Sequence, residues 1–181
     1  MLKSGKFNDV DVITGFTSGD GILFLISLDL TKVLQNGISR STFIDKIQKS
    51  RFVRDQNDVI NEAMEWLYTD WYNVTDPITN CRMLLKMATD AMFIAPTIAT
   101  ANAIAKKTSK IFMYQFTFMD FNYTFWRPNF RPVPSWVGAF HASDVGFVLG
   151  KPFATNSSVY TKEGNFSRTM IKMWSNFAKS G

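Results

Sequence analysis

The run DVDVITGF, from Asp9 to Phe16, is short, mainly β-branched and apolar, and ends in Ser18-Gly19-Asp20-Gly21. Such a run reads as a strand buried on both faces and ended by a glycine-flanked turn. A second strand is expected far along the chain, over Ile111 to Phe118 (IFMYQFTF). Long stretches of helical spacing lie between the two, and strands separated by helical runs dictate an α/β architecture. Two strands make a thin sheet, too few for an ordinary complete domain.

The helical stretches can be placed by their spacing and caps. Ile22 to Leu30 reads as one apolar helical segment, and Ser41 as the cap of a helix carrying Phe43, Ile44 and Ile47. Ile60, Met64, Leu67 and Trp71 fall on one face of an amphipathic helix. NCRMLLKMATDAMF is helix-like, and Pro96 suits the first turn of an alanine-rich helix from about Thr97 to Ala105. An irregular aromatic and proline-rich loop covers Met119 to Trp136. In the last helix Phe166, Met170, Met173 and Phe177 form one stripe, with Lys179 near its end and Gly181 after it. The 181 residues contain no repeat, low-complexity segment or linker, so they are read as a single segment.

Composition excludes several function classes. Hydrophobic residues make up 46% and charged residues 19%, which describes a globular chain with large packed surfaces. The net charge of +5 is scattered. The most basic aromatic stretch, Phe125 to Trp136, holds two arginines among prolines, which makes no groove for tracking phosphates, so nucleic acid is not an expected partner. No apolar run reaches the length of about 18 residues that a membrane span needs, and no apolar leader follows Met1. Four acceptor triplets for N-glycosylation, at Asn73, Asn122, Asn156 and Asn165, nevertheless point toward a secretory origin. Cys81 is the only cysteine and His141 the only histidine, so no disulfide and no metal site is expected. A Cys81–His141 catalytic pair is conceivable, although a cysteine in a helix-like stretch packs more often as a small apolar residue.

Asp20 and His141 are the residues that can carry chemistry. In open α/β sheets functional groups gather beyond the carboxyl ends of the strands. Asp20 follows the first strand and His141 lies in a loop after the second. An acid followed by a histidine in chain order is the second half of the Ser…Asp…His order. Each residue also has an ordinary reading, Asp20 as a turn former and His141 as a satisfied surface or core residue.

Longer motifs favour the chemical reading. Pro134-x-Trp136-x-Gly138-x-x-His141, followed by Phe147-x-x-Gly150-x-Pro152, resembles the histidine loop of the type-B carboxylesterases, the cholinesterase-like α/β-hydrolases. The ending Trp174-Ser175-Asn176-Phe177-Ala178-Lys179-Ser180-Gly181 resembles that family's W-x-N-F-A-K-T-G signature. Gly15-x-x-x-x-Asp20-Gly21 resembles its acid turn, and Tyr68-Thr69-x-Trp71 and Ala95-Pro96-Thr97 extend the likeness through the middle. Gly150 to Thr155, together with aspartate as the acid, look most like the lipase branch, bile-salt-activated lipase or cholesterol esterase.

The resemblance implies an α/β fold that is the C-terminal portion of an α/β-hydrolase domain. It implies a carboxylic-ester hydrolase acting on an ester or lipid substrate without a cofactor. His141 would be the general base, Asp20 the acid that orients it, and Asp144 a supporting carboxylate outside the reacting pair. Ala142 replaces the glycine of many members. No G-x-S-x-G elbow occurs, so the nucleophile and oxyanion donors are expected in an N-terminal part that these residues lack. The segment alone would then be inactive, and the longer parent secreted. The alternative within the same fold is a non-catalytic adhesion protein of the neuroligin kind.

Overall fold

The computed structural model describes residues 5–26, 28–50, 52, 57–107, 110–119, 133–154 and 161–181. Strands β1 (Val12–Thr17) and β2 (Ile111–Phe116) pair in parallel, with Val12 opposite Ile111 and Thr17 opposite Phe116. Parallel partners need a crossover, and the helical region between them supplies it. It holds α1 (Ile22–Leu25), α2 (Leu30–Asn36), α3 (Arg40–Lys49), α4 (Asp58–Tyr68), α5 (Pro77–Thr89) and α6 (Ala95–Ile104). After β2 come α7 (Ser143–Val148), α8 (Lys151–Ala154) and α9 (Lys162–Ser180).

Side-chain chemistry sets most helix starts. Asp29, Ser39, Asn57, Asp76 and Thr161 each accept a backbone N–H of the first turn of the helix that follows. Asp29 is therefore why Ile22 to Leu30 is not one helix: its carboxylate captures the Lys32 N–H and begins α2 afresh. Ser39, not Ser41, caps α3, through the Thr42 N–H at 3.1 Å. Helix α4 stops at Tyr68, so Trp71 lies beyond it, and Leu67 faces solvent while Met64 is buried.

The alanine-rich helix does not begin afresh near Thr97. It continues α5 through one wider turn, Asp90–Ile94, in which the Ala95 N–H reaches back to the Asp90 carbonyl. Pro96 explains the offset. It has no N–H to give and its ring would strike the preceding turn of a regular helix, so the backbone widens just ahead of it.

Among the described residues, two clusters form the interior. Leu25, Phe43, Ile47, Cys81, Leu84 and Met87 are essentially inaccessible between α1, α3 and α5. Phe116, Ala139, Phe147 and Met170 form the second cluster, joined by Tyr114, Phe118, Phe166 and Trp174. Phe118 stacks on Phe166 with ring centroids 4.3 Å apart, and Tyr114 meets Trp174 edge-on at 5.0 Å, so α9 lies along β2. The α9 stripe departs from expectation at one position: Met173 is exposed and Trp174 takes the contact. The expected burial of β1 on both faces is also corrected. Val12 to Phe16 are half-buried, because among the described residues the strand has β2 along one edge and α6 packed against it, with no second strand alongside. The aromatic loop expected over Met119 to Trp136 falls mostly outside the described residues, and Ser135–Val137 form a single tight helical turn.

Candidate functional site

The site forms where β1 ends. Beyond Thr17 the chain keeps its place in the ladder for one more residue, as the Ser18 N–H donates to the Phe116 carbonyl at 3.0 Å. On the other flank it takes a new neighbour. The Gly19 N–H donates to the Ala139 carbonyl at 2.6 Å, the Ala139 N–H donates to Ser18 Oγ at 3.0 Å, and Gly19 bridges to Phe140 in parallel. The β1 end is thus clamped between β2 and the loop that carries His141.

Both glycines around Asp20 are dictated by close approach. A Cβ on Gly19 would enter the Val137 carbonyl, and one on Gly21 would lie 2.6 Å from the Leu85 carbonyl. The Gly21 N–H donates to Thr89 Oγ1 at 3.0 Å, and that hydroxyl donates onward to the Leu85 carbonyl at 2.9 Å. The acid turn is therefore pinned to the buried end of α5.

Asp20 is buried, with a 4% exposed surface, and both of its oxygens are engaged. Oδ2 accepts the Thr17 N–H at 2.7 Å, and Oδ1 lies 2.9 Å from His141 Nδ1. A carboxylate at Nδ1 places the ring proton there and leaves Nε2 as the basic nitrogen. The imidazole is 39% exposed, and among the described residues Nε2 has no hydrogen-bond partner. The arrangement is an oriented, half-open base backed by a buried acid, able to take a proton from a hydroxyl brought to Nε2.

Three further groups shape the base. Phe93, from the wide turn after α5, packs its ring against the imidazole with centroids 5.3 Å apart. Ala142 follows His141 in the left-handed region, at φ 65°. Asp144 does not touch the imidazole in any described contact; its Oδ2 accepts the Tyr114 hydroxyl at 2.8 Å and so fastens α7 to β2. Burial, and then Asp144, hold the Tyr114 phenol well above its ordinary range.

The other candidate positions fall as follows. Cys81 is fully buried in the first cluster, where burial pushes its thiol up to about 12, and none of the described contacts joins it to His141. Asn73 and Asn165 are exposed, whereas Asn122 and Asn156 lie outside the described residues. Among the described residues no cluster of metal-ligating side chains exists, and no helix is long and apolar enough to cross a membrane. Phe93, Thr89 and Tyr114 were not expected as parts of the site. Their roles depend on contacts between segments far apart in the chain, and no local spacing announces those.

The two-strand parallel sheet, with an acid turn and a histidine loop at its carboxyl end, defines a part of the α/β-hydrolase fold. The chain belongs to the carboxylesterase family, whose family model matches residues 1–181. It is 31% identical over 183 residues to acetylcholinesterase of Bungarus fasciatus, an alignment covering 100% of this chain and 28% of that protein. It is 27% identical over 194 residues to neuroligin-2 of Homo sapiens, covering 100% of this chain and 21% of that protein. The chain therefore spans less than a third of the length of these relatives.

Proposed function

We propose that these residues supply the acid and the base of a Ser-Asp-His triad in a serine carboxylic-ester hydrolase. The nucleophilic serine and the oxyanion donors would belong to polypeptide outside the 181 residues, since the sequence holds no G-x-S-x-G elbow. The observation that carries the reading is the 2.9 Å contact between His141 Nδ1 and buried Asp20, with Nε2 unpartnered among the described residues.

In this reading Nε2 takes the serine proton as Oγ attacks the ester carbonyl. The imidazolium that forms is stabilised by Asp20, which keeps its negative charge and its bond to the Thr17 N–H. The imidazolium then gives the proton to the departing alkoxide, leaving an acyl-serine. Water repeats the sequence, with Nε2 again the base, and frees the acid. No step needs a cofactor.

The substrate is an ester or lipid, and the lipase-like ending of the histidine loop favours the second. The protein is secreted, a reading supported by the two exposed acceptor asparagines Asn73 and Asn165. A second reading, a non-catalytic binding protein of the cholinesterase-like fold, has the likeness to neuroligin-2 in its favour. A phosphonate ester separates them. It should label one serine of the longer polypeptide and label it far more slowly after His141→Ala. Absence of any labelled serine would favour the binding protein.

A further inference from the structure

We infer that Asn73 is an N-glycan acceptor and that the exposed rings of Trp71 and Tyr72 are the surface on which its innermost sugar lies. The inference rests on the reading that the protein enters the secretory pathway. It begins from aromatic side chains that stand exposed beside an acceptor triplet within these 181 residues. Tyr72 is 98% exposed, Trp71 56%, Trp66 68% and Leu67 61%, all at the end of α4 and in the turn that follows it.

The acceptor triplet Asn73-Val74-Thr75 stands within that patch. The segment is a pair of linked turns: the Asn73 N–H donates to the Asp70 carbonyl at 3.0 Å, and the Asp76 N–H to the Asn73 carbonyl at 3.1 Å. Asp70 Oδ1 also accepts the Tyr72 N–H at 3.1 Å, and Trp71 Nε1 donates to the Trp66 carbonyl at 3.2 Å, so the ring of Trp71 is held in place. Asn73 and Thr75 are both exposed. Asn165 provides the contrast. Its triplet ends in Ser167, which has no exposed surface and whose hydroxyl donates to the Phe147 carbonyl at 2.6 Å. In the folded protein only the Asn73 triplet, of these two, offers both its amide and its hydroxyl to an enzyme.

The transfer balances. Asn73 Nδ2 attacks C1 of the terminal N-acetylglucosamine of an oligosaccharide linked to a lipid diphosphate. The bond from C1 to the diphosphate oxygen breaks, the lipid diphosphate leaves with the electron pair, and one amide proton passes to a base of the transferase. The remaining Nδ2–H can still donate to Asp70 Oδ2, which lies 3.4 Å away in the unmodified protein. Consecutive Cα atoms are about 3.8 Å apart, so rings one and two residues away lie within reach of a sugar tethered at Asn73. The C–H face of a pyranose is apolar and mildly positive, and it suits the negative face of an aromatic ring.

The test uses the longer polypeptide, carried into the secretory pathway of cultured animal cells by an added signal. Glycan release that leaves an aspartate at the modified position then maps occupancy by mass spectrometry. We expect Asn73 to be occupied, and more so than Asn165. Hydroxyl-radical labelling of Trp71 and Tyr72 should be several-fold lower with one sugar retained than after complete removal. An unmodified Asn73, or equal labelling with and without the sugar, would overturn the inference. Because the signal is added, a failure at Asn73 remains distinct from a failure of the secretion reading, which the location of the untagged protein decides.

Discussion

Tyr114 donates its phenol to Asp144 at 2.8 Å, and this bond ties strand β2 to the helix that begins two residues after His141. The loop of the base thus hangs between two anchors, the carboxylate of Asp20 ahead of it and the Tyr114–Asp144 bond behind.

Tyr114→Phe should remove the second anchor. A hydrogen bond to a charged acceptor contributes about 1.5–3 kcal/mol, so denaturant unfolding should register a loss of that order, at its lower end because the pair is only half-buried. The pH dependence follows from sign. Both Tyr114 and Tyr68 hold their protons more tightly when folded, Tyr114 through burial and Asp144, and Tyr68 up to about 12 through burial and Asp90. Their contribution is complete below the ordinary tyrosine value of about 10 and falls away as pH climbs through the folded values. Tyr68→Phe and Tyr114→Phe should therefore each flatten the alkaline loss of stability that sets in above about pH 10.

Ala142 holds a left-handed backbone immediately after His141. That conformation costs an L-residue about 1–2 kcal/mol, while glycine adopts it freely but loses about 0.5–1 kcal/mol more entropy on folding. Ala142→Gly should therefore stabilise slightly, by up to about 1 kcal/mol after that offset. Ala142→Val, whose branched Cβ fits this region worst, should destabilise by more than 1 kcal/mol, on the order of the strain of such a position. Thermal midpoints of the two variants should move in opposite directions, and a rise for valine would contradict the assignment.

Cys81 should be inert in the folded protein. It has no exposed surface and its thiol is pushed up to about 12, so thiolate is scarce at neutral pH. Peptide mapping after treatment with a thiol reagent should find Cys81 unmodified under native conditions and fully modified once the chain is unfolded. Rapid native labelling would return Cys81 to consideration as a nucleophile.

How much of this was legible in the sequence divides by distance along the chain. Strands β1 and β2, and α9, are local patterns that apolar runs and helical spacing locate, with β1 beginning at Val12 rather than Asp9 and β2 ending at Phe116 rather than Phe118. The cap of α3 reads as Ser41 in the sequence, but Ser39 takes it, its Oγ accepting the Thr42 N–H and bonding to the hydroxyls of Ser41 and Thr42. The wide turn at Asp90–Ile94 is a response to Pro96 that spacing rules read as a new helix. At the site, Asp20 and His141 could be singled out by strand ends and motif order. Their partners could not. Thr89 lies 68 residues from Gly21, Tyr114 lies 30 from Asp144, and Phe93 sits 48 from His141 (141 minus 93); only the folded chain joins them.

The central claim is that Asp20 and His141 act as the acid and base of an esterase. The most direct test is kcat/KM for a simple ester, measured on the longer polypeptide with and without His141→Ala. Measurable turnover is expected in the unaltered protein and a loss on the order of a thousandfold or more in the variant, with Asp20→Asn falling nearly as far, the range seen when a triad member is removed. Turnover that survives His141→Ala undiminished would contradict the claim.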